Sequence, residues 1–269
     1  MTAAAPRPGE TAAETTSSPA LLEVTDLRVE FAGVHAVAGA SFAIRPGTIT
    51  GLIGPNGAGK STTLKLIAGA ERPTGGQIWY AGRDITGHPA HEVARQGLIR
   101  TFQLSSEFAR LTVLENLMVA VPHQHGASFV SALRGRHSWR AEQAALVSRG
   151  MDLLTEFGLA HAADQYAGEL SGGQKRLIEI ARALMAQPRM LLLDEPLAGV
   201  NPRLRETITE HLARLRDQGL TMMMVEHELQ AVDRCCDPVI VMAAGRVLAE
   251  GSMREIRANK EVVDAYLLG

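Results

Sequence analysis

The chain has 269 residues, of which 46% are hydrophobic and 21% are charged, and this composition is typical of a globular protein with one large domain or two small ones. Lys and Arg total 27 against 29 Asp and Glu, a formal net charge of −2. This balance argues against nucleic-acid binding, because proteins that bind nucleic acids usually carry a basic excess. Only 4 of the 27 basic residues are Lys, which leaves 23 Arg, so each Lys merits individual attention.

The first part of the chain predicts a tail followed by strands and one helix. Residues 1–20 are rich in Ala, Thr, Ser and Pro and contain no apolar segment, so we expect a disordered tail and no secretory signal. Alternating apolar residues over 22–31 then predict a strand or a strand pair. The next predicted elements are strands over Ala40–Arg45 and Thr48–Ile53, a helix from Lys60 to about Ala68, and a strand over Gln77–Tyr80.

The middle third of the chain has mostly helical patterns, from about Pro89 to Gln187, which are clearest over Thr112–Ala120 and Ser138–Phe157. Strands and helices then alternate again. The predicted elements there are a strand over Met190–Asp194, a helix over Pro202–Asp217, and strands over Thr221–Glu226 and Pro238–Met242. This order predicts an α/β fold with a helical insertion.

The strongest local motif is the segment from Gly54 to Ser61, which fits the phosphate-binding pattern G-x-x-x-x-G-K-[ST]. Its glycines let backbone N–H groups turn toward phosphates, and the following helix directs its positive end at the same charge. We expect Lys60 to bind the β- and γ-phosphates and Ser61 to ligate Mg²⁺. The alternative is a Gly-rich turn that merely begins a helix. The residues predicted to bind nucleotide here are Gly54, Pro55, Asn56, Gly57, Ala58, Gly59, Lys60, Ser61 and Thr62.

A second motif lies at the end of the predicted buried strand Met190–Asp194, which is followed by Glu195. An apolar run that ends in two acids is weak evidence alone, but it gains weight downstream of a phosphate-binding loop. We expect Asp194 to hold Mg²⁺, directly or through water, and Glu195 to act as the general base that polarises the attacking water.

A third motif, Leu170-Ser171-Gly172-Gly173-Gln174, resembles the signature motif of ABC ATPases. Its chemistry follows that of the phosphate-binding loop, because it combines a hydroxyl, exposed N–H groups and a helix N-terminus. The alternative is a capped helix start in a Gly-rich loop. The resemblance implies that Ser171, Gly172, Gly173 and Gln174 face a γ-phosphate held by a second subunit, and therefore that the working enzyme is a dimer.

The resemblance to ABC ATPases implies three further site residues. Gln103 resembles the Q-loop glutamine, which would contact Mg²⁺ or the water and sense a membrane partner. His227, after the strand ending near Glu226, resembles the switch histidine that would bond the γ-phosphate. Phe31 resembles the aromatic residue that stacks on adenine, although a core strand residue is the alternative.

One position departs from the usual ABC pattern, because Asn201 stands where many members have Asp. The amide keeps hydrogen-bonding capacity across a dimer but loses the charge. The variant segment Ala198–Pro202 resembles ATPase subunits of branched-chain amino-acid importers. The segments Gly97–Gln103 and Glu255–Leu267 resemble the same subfamily.

The resemblance runs from about Leu22 to Leu268 and implies a P-loop, RecA-like α/β core with an N-terminal antiparallel β subdomain and an inserted helical subdomain. We expect an ABC ATPase domain over 21–269, with the insertion at about 89–187. The resemblance implies an ATP- and Mg²⁺-dependent importer subunit on the cytoplasmic face of the cell membrane that powers uptake of branched-chain amino acids or a related small polar solute. The implied partners are membrane permease subunits, an extracytoplasmic solute-binding protein, and a second copy or a sister ATPase.

Three alternatives remain open from the sequence. A soluble ABC ATPase of translation or repair usually carries two cassettes or a long coiled coil, and neither is present here. A regulatory nucleotide-binding module would not need Glu195 and His227. An importer of urea, amides or short peptides would use an ATPase of the same kind, since the ATPase does not touch the cargo.

The segment from His123 to Arg140 contains three His and three Arg. Metal binding is conceivable, but no acid or Cys completes a site, so we interpret the segment as a solvated insertion between helices.

Overall fold

The structure is a computed structural model that describes residues 19–101, 108–121 and 136–268. Most of the predicted tail, Gln103, His123 and His125 lie outside these residues. No helix in the described part of the chain is long and apolar enough to span a lipid bilayer.

The described residues form ten strands in two sheets. They are β1 (Leu22–Phe31), β2 (Val34–Ile44), β3 (Ile49–Ile53), β4 (Gly75–Tyr80), β5 (Arg83–Asp84), β6 (Leu98–Arg100), β7 (Met190–Asp194), β8 (Thr221–Val225), β9 (Val239–Ala243) and β10 (Arg246–Gly251). The first sheet is antiparallel, in the order β2-β1-β4-β5. The second has the order β10-β9-β3-β8-β7-β6, and its strands are parallel except for β10.

Nine α-helices occur in the described ranges. They are α1 (Lys60–Ile67), α2 (Ala90–Arg95), α3 (Val113–Met118), α4 (Arg136–Glu156), α5 (Gly172–Met185), α6 (Pro202–Asp217), α7 (Leu229–Cys235), α8 (Met253–Ala258) and α9 (Lys260–Leu268). Helices α3, α4 and α5 lie between β6 and β7 in the sequence and pack against one another.

The three central strands of the parallel sheet, β3, β8 and β7, are buried at every position. Alternate side chains of one strand enter different hydrophobic cores, as expected for a sheet covered on both faces. Leu191 and Leu193 pack with residues of α5 and α6, whereas Leu192 packs with residues of β1, β2 and α1. The parallel sheet is therefore a rigid layer between the helical insertion and the antiparallel sheet.

The predicted fold class is confirmed, and several predicted elements agree closely with the structure. The strand Met190–Asp194 and the helix Pro202–Asp217 have the predicted bounds. Strand β2 begins earlier than predicted, at Val34 instead of Ala40. Three short strands, β5, β6 and β10, and the last three helices, α7, α8 and α9, were not predicted. Strand β6 lies inside the region with helical patterns, where three residues are too few to show a period of two.

Candidate functional site

Three central strands end at the same edge of the sheet, and each is followed by a predicted site residue. Strand β3 leads into Gly54, β7 ends in Asp194 and leads into Glu195, and β8 leads into Glu226 and His227. The strands are parallel neighbours in the order β3-β8-β7, so their carboxyl ends lie side by side. The carboxyl edge of an open parallel sheet is where such folds bind ligands.

Two glycines of the phosphate-binding loop allow the backbone to approach its surroundings closely. At Gly54, with φ +149°, a Cβ atom would lie 2.0 Å from the carbonyl oxygen of Met242. At Gly59, with φ +96°, a Cβ would lie 2.3 Å from the carbonyl oxygen of Ala36 on β2. Any side chain at either position would force the loop away from β9 or β2, which explains why the loop requires glycine there.

Lys60 opens helix α1 and is buried, with 6% of its surface exposed. Its ammonium donates hydrogen bonds to the carbonyl oxygens of Gly54 (2.8 Å) and Pro55 (2.9 Å). Burial lowers the pKa of Lys60, and the charges of Glu195 and Asp194 oppose that shift. The loop therefore folds back on its own lysine and holds the charge at the start of the helix.

Asp194 is fully buried and is held on both carboxylate oxygens. The hydroxyl of Ser61 donates to Oδ1 at 3.1 Å, and Nη2 of Arg100 donates to Oδ2 at 2.8 Å. Arg100 is the last residue of β6, the strand next to β7. This ion pair connects the end of the strand that leads toward Gln103 with the acid at the end of β7.

Glu195 and His227 contact each other directly. Nε2 of His227 lies 2.9 Å from Oε1 of Glu195, and because a carboxylate only accepts hydrogen bonds, Nε2 carries the proton in this contact. The backbone of Glu195 is in the left-handed region, with φ +50°, which is uncommon for a residue with a side chain. Its N–H donates to the carbonyl oxygen of Val225 at 3.0 Å. Strained backbone of this kind is frequent at functional sites.

The buried carboxylate of Glu226 connects the loop after β7 to the loop after β8. Its Oε1 accepts from the N–H of Leu197 at 2.8 Å, and its Oε2 accepts from the N–H of His227 at 3.3 Å. Burial raises the pKa of Glu226, although both N–H groups partly offset the shift. The contact fixes the relative positions of the two loops that carry Glu195 and His227.

A pocket opens at this edge of the sheet. Its lining consists of Asn56, Gly57, Ala58, Gly59, Lys60, Ser61, Thr62, Glu195 and His227. The structure thus brings most of the predicted phosphate-binding residues together with the predicted base and switch histidine. Gly54 and Pro55 lie behind Lys60 and contribute carbonyl oxygens to it.

Phe31 lies at the end of β1, with 44% of its surface exposed, paired across the hairpin with Val34. It is therefore a surface residue, which argues against the core alternative. The hairpin is close to the pocket, because Ala36 of β2 abuts Gly59. Phe31 is not among the described residues that line the pocket, so its contact with adenine stays a prediction.

The predicted signature residues begin helix α5. The hydroxyl of Ser171 accepts from the N–H of Gln174, and Oε1 of Gln174 accepts from the N–H of Ser171 at 3.0 Å, so the two form a capping box. Ser171 and Gly172 are exposed, and a Cβ on Gly172 would meet nothing within 4 Å. Among the described residues, none from 171–174 lines the pocket of the same chain. The helix N-terminus is thus open to an outside ligand.

Asn201 has a local role that the sequence did not reveal. It caps helix α6, where its Oδ1 accepts from the N–H of Leu204 at 2.9 Å. One turn later, Arg205 pairs with Glu228 and donates to the carbonyl oxygen of Val200 at 3.1 Å. The segment before α6 is therefore held to the segment after His227.

The last helix reaches back to the start of the phosphate-binding loop. Tyr266 of α9 and Ile53 of β3 line one apolar groove, which Met253 and Leu229 also border. Burial raises the pKa of the Tyr266 hydroxyl, and the backbone of Gly54 partly offsets the shift by hydrogen bonding to it. The C-terminal helices thus support the site from outside the sheet.

Sequence reasoning missed Arg100, Glu226 and Tyr266, whose contacts depend on the packing of distant elements. A weak signal existed for Arg100, which lies in the segment Gly97–Gln103 that resembled a subfamily. Gln103 itself lies outside the described residues.

Comparison with protein families agrees with this geometry. The family described as "ABC transporter" matches residues 37–198, which is more than half of the chain. A second family, described as "Branched-chain amino acid ATP-binding cassette transporter", matches residues 246–267. The second match covers β10, α8 and most of α9.

Curated relatives align over nearly the whole chain. A probable branched-chain amino acid transport ATP-binding protein, LivG of Archaeoglobus fulgidus, is 38% identical over 92% of this chain and 95% of its own length. The high-affinity branched-chain amino acid transport ATP-binding protein BraF of Pseudomonas aeruginosa is 37% identical over 92% and 97%. LivG of Escherichia coli, of the same description as BraF, is 38% identical over the same shares.

Solved structures share the fold. A nucleotide-free ATP-binding cassette from an ABC transporter superposes with a TM-score of 0.80 at 34% identity, covering 92% of this chain and 99% of the other. An ATP-binding cassette of an ABC transporter in its ADP conformation gives a TM-score of 0.80 at 33% identity, covering 93% and 99%. The phosphate-binding loop, the acids at the end of β7 and the histidine after β8 thus lie on the fold of ATP-binding cassettes, and the chain belongs to the ABC transporter family as an ATP-binding subunit and an ATPase.

Proposed function

We propose that this chain is the ATP-hydrolysing subunit of an importer for branched-chain amino acids or a related small polar solute, working on the cytoplasmic face of the cell membrane. The relatives described as branched-chain amino acid transport proteins support the substrate class. So does the match of residues 246–267 to a family of that description.

The observation that carries the catalytic part of the proposal is the convergence of three strand ends on one pocket. Lys60 and the loop around it would grip the phosphates of ATP, since their N–H groups and the ammonium complement a polyphosphate. Glu195 and His227 border the same pocket and contact each other. A phosphate binder without catalysis would not need this pair.

In hydrolysis, the oxygen of a water molecule attacks the γ-phosphorus and the bond to the β,γ-bridging oxygen breaks. Glu195 would accept the proton of that water, and His227 would donate a hydrogen bond to the γ-phosphate from Nε2. Lys60 would stabilise the negative charge that develops on the β- and γ-phosphates. The leaving ADP takes the bond electrons, so the step requires no other reactant.

Ser61 in the first turn of α1 and Asp194 at the end of β7 fit a Mg²⁺ ion bound together with ATP. Ser61 Oγ and Asp194 Oδ1 are hard oxygen donors 3.1 Å apart, and Mg²⁺ commonly takes one or two protein ligands beside phosphates and water. Once bound, the ion would neutralise charge on the transferred phosphoryl group. Gln103 is a third proposed ligand, from the segment that follows β6. Arg100 would keep the Asp194 carboxylate aligned toward Ser61.

The nucleotide site would be completed by a second chain. Phe31 would stack on adenine from the same chain, while Ser171, Gly172, Gly173 and Gln174 would close over the γ-phosphate held by the partner's loop. The exposed, capped start of α5 supports this arrangement. The partner is a second copy or a sister ATPase.

The permease would dock on the helical insertion near Gln103. Three large apolar side chains in this part of the described chain are exposed, namely Phe108 (50%), Val119 (52%) and Tyr166 (54%). Exposed apolar groups concentrated in one region often mark a protein interface. We place the membrane permease subunits at this surface and the extracytoplasmic solute-binding protein on the far side of the permease.

The decisive experiment is to isolate the tagged chain from its native membranes and identify the permease and binding protein that co-purify. The complex is then reconstituted into liposomes with ATP inside, and uptake of labelled leucine, valine, urea and a dipeptide is measured. ATP-dependent leucine or valine uptake supports the proposal. Uptake of urea or dipeptide alone would replace the substrate class, and ATPase activity with no co-purifying permease would favour a soluble ABC ATPase.

A further inference from the structure

Arg176 is a charged residue buried behind the catalytic edge of the sheet. It lies on α5, two residues after the signature residue Gln174, and only 9% of its surface is exposed. A guanidinium is rarely buried to this extent unless acceptors surround it. The hydrogen-bond acceptors around the guanidinium show which part of the chain Arg176 fixes in place.

The guanidinium of Arg176 contacts the backbone of the loop that carries the predicted base. Its Nε donates to the carbonyl oxygen of Pro196 at 3.1 Å. Its Nη2 donates to the carbonyl oxygens of Asp194, at 3.3 Å, and Glu195. Three successive carbonyl oxygens therefore converge on one side chain, which only the planar, multi-donor guanidinium can satisfy.

Glu179 completes this arrangement from the next turn of α5. Its Oε2 accepts from Nη1 of Arg176 at 2.6 Å, and the Glu179 side chain is only 3% exposed. A buried acid beside a buried guanidinium balances its charge and fixes the plane of the fork. Arg176 thus has one edge locked to its own helix and the other edge on the backbone of β7 and the following loop.

This contact acts on the strained part of the site. Glu195 has φ +50°, and an L-residue in this conformation needs surrounding contacts to hold it there. The N–H of Glu195 is fixed by its hydrogen bond to the carbonyl oxygen of Val225, and the carbonyl oxygen of Glu195 is fixed by the hydrogen bond from Arg176. The direction in which the Glu195 side chain leaves the backbone, toward His227, depends on both.

The exposed signature segment forms the N-terminal end of α5, little more than one turn before Arg176. Ser171 lies five residues before Arg176, about 7.5 Å along the helix axis. The capping box stiffens the first turn, and a Cβ on Gly173 would lie 2.2 Å from Leu204, so the turn also packs against α6. A displacement at Ser171 would therefore be transmitted along this first turn of the helix to Arg176.

We propose that Arg176 is a positioning residue that couples the two nucleotide sites of the assembled ATPase. This coupling rests on the proposed function, in which the signature residues of one chain contact ATP held by the other chain. ATP that engages Ser171 moves α5, and Arg176 then adjusts the backbone of Glu195 in the site of its own chain. ATP at one site thereby aligns the general base of the other.

The test measures ATP hydrolysis by the purified complex as a function of ATP concentration. The test variant is Arg176→Lys, which keeps the positive charge beside Glu179 but loses the planar guanidinium with its several hydrogen-bond donors. Its matched control is Arg182→Lys on the same helix, where the guanidinium lies over the ring of Phe108 at 5.9 Å. We expect a Hill coefficient above 1 for the native complex and for the control, since two coupled sites allow values up to about 2.

For Arg176→Lys we expect the Hill coefficient to fall to about 1. We also expect kcat to fall about tenfold or more while the ATP concentration at half-maximal rate changes less than about twofold, the pattern of a lost transition-state contact. Glu179→Gln is the second variant, in case Arg176→Lys does not fold. This variant keeps the contacts of Arg176 with the backbone but weakens its ion pair with residue 179. We therefore expect a smaller change in the same direction.

If Arg176→Lys keeps both the kcat and the Hill coefficient of the native complex, the proposed coupling is overturned. An equal loss of kcat in Arg176→Lys and Arg182→Lys also overturns it, because a general effect on α5 would then suffice. A native complex that hydrolyses no ATP contradicts the proposed function itself, which separates the two failures.

Discussion

Nε2 of His227 and Oε1 of Glu195 lie 2.9 Å apart, so the predicted switch residue and the predicted base form a hydrogen-bonded pair across the ends of β8 and β7. The pair has a direct consequence for substitution. A substitution at Glu195 that removes the hydrogen-bond acceptor should alter both proton transfer and the position of the histidine.

We expect Glu195→Gln to bind ATP normally and to hydrolyse it about 10²–10⁴-fold more slowly, because the amide cannot accept the proton. Gln still accepts the hydrogen bond of His227, so the variant isolates proton transfer from local geometry. ATP should then hold two chains together, which size-exclusion chromatography with and without ATP measures. Turnover close to that of the native chain would remove Glu195 as the general base.

Lys60→Ala should abolish tight ATP binding. A charge-assisted contact of this kind contributes about 1.5–3 kcal/mol, or roughly 10–100-fold in affinity. Isothermal titration with ATP measures the loss. The control is Lys65→Ala, since Lys65 lies exposed on the same helix α1 and should leave affinity unchanged. Equal affinities of the two variants would contradict the phosphate-binding assignment.

Phe31→Ala should weaken ATP binding if the ring stacks on adenine. Stacking of a base on an aromatic ring contributes about 1–3 kcal/mol. The control is Val34→Ala, because Val34 is the exposed cross-strand partner of Phe31 in the same hairpin. We expect tripolyphosphate to bind both variants equally, since it has no base. A parallel loss of ATP and tripolyphosphate binding in Phe31→Ala would point to a damaged hairpin instead.

Asn201→Ala should lower the free energy of unfolding by about 1 kcal/mol, because the N–H of Leu204 loses its capping partner. Asn201→Asp should keep the cap and gain from the helix dipole, so its stability should equal or slightly exceed that of the native chain. Urea denaturation measures both. If Asn201→Asp also changes the ATPase rate, the side chain acts across the dimer as well as at the helix.

His211 should make the fold less stable in mild acid. Burial, with a smaller contribution from the charge of Arg214, lowers its pKa from 6.5. Its Nδ1 lies 2.8 Å from Nη2 of Arg214, and its ring packs against Phe157 with centroids 4.6 Å apart. Because the folded state favours neutral His211, its stabilising contribution is complete above pH 6.5 and is lost as the pH falls from 6.5 through the lower pKa of the folded state.

The measurement is the free energy of unfolding between pH 5 and pH 8 for the native chain and for His211→Gln, with the exposed His161→Gln as control. The pH dependence should flatten in His211→Gln alone, since Gln can still accept from Arg214 without titrating. Identical slopes for all three proteins would exclude His211 as the source.

The sequence was sufficient where local signals and patterns coincide. The helix Pro202–Asp217 was predicted with the observed bounds, and Pro202 occupies the first helical position, where its missing N–H costs no hydrogen bond. The phosphate-binding loop is equally local, since its glycines and Lys60 work within one turn of chain. These residues are neighbours in the sequence as well as in the site.

The sequence was insufficient where a role arises only from packing. Arg100 and Arg176 look like any of the 23 arginines until β6 lies beside β7 and α5 packs behind the following loop. Strand β6 itself was missed, because three residues show no period and the sheet provides the pairing. Gln103, by contrast, was predicted from its motif and stays a prediction.

The helical insertion is connected to the parallel sheet through two neighbouring strands, β6 and β7. The insertion leaves after Arg100 at the carboxyl end of β6 and returns at Met190, the opposite end of the same parallel pair. Strand β6 is the edge strand, so the ladders that join β3, β8 and β7 do not depend on it. The ion pair between Arg100 and Asp194 lies at this junction, so the acid at the end of β7 is bound directly to the residue at which the insertion leaves the sheet.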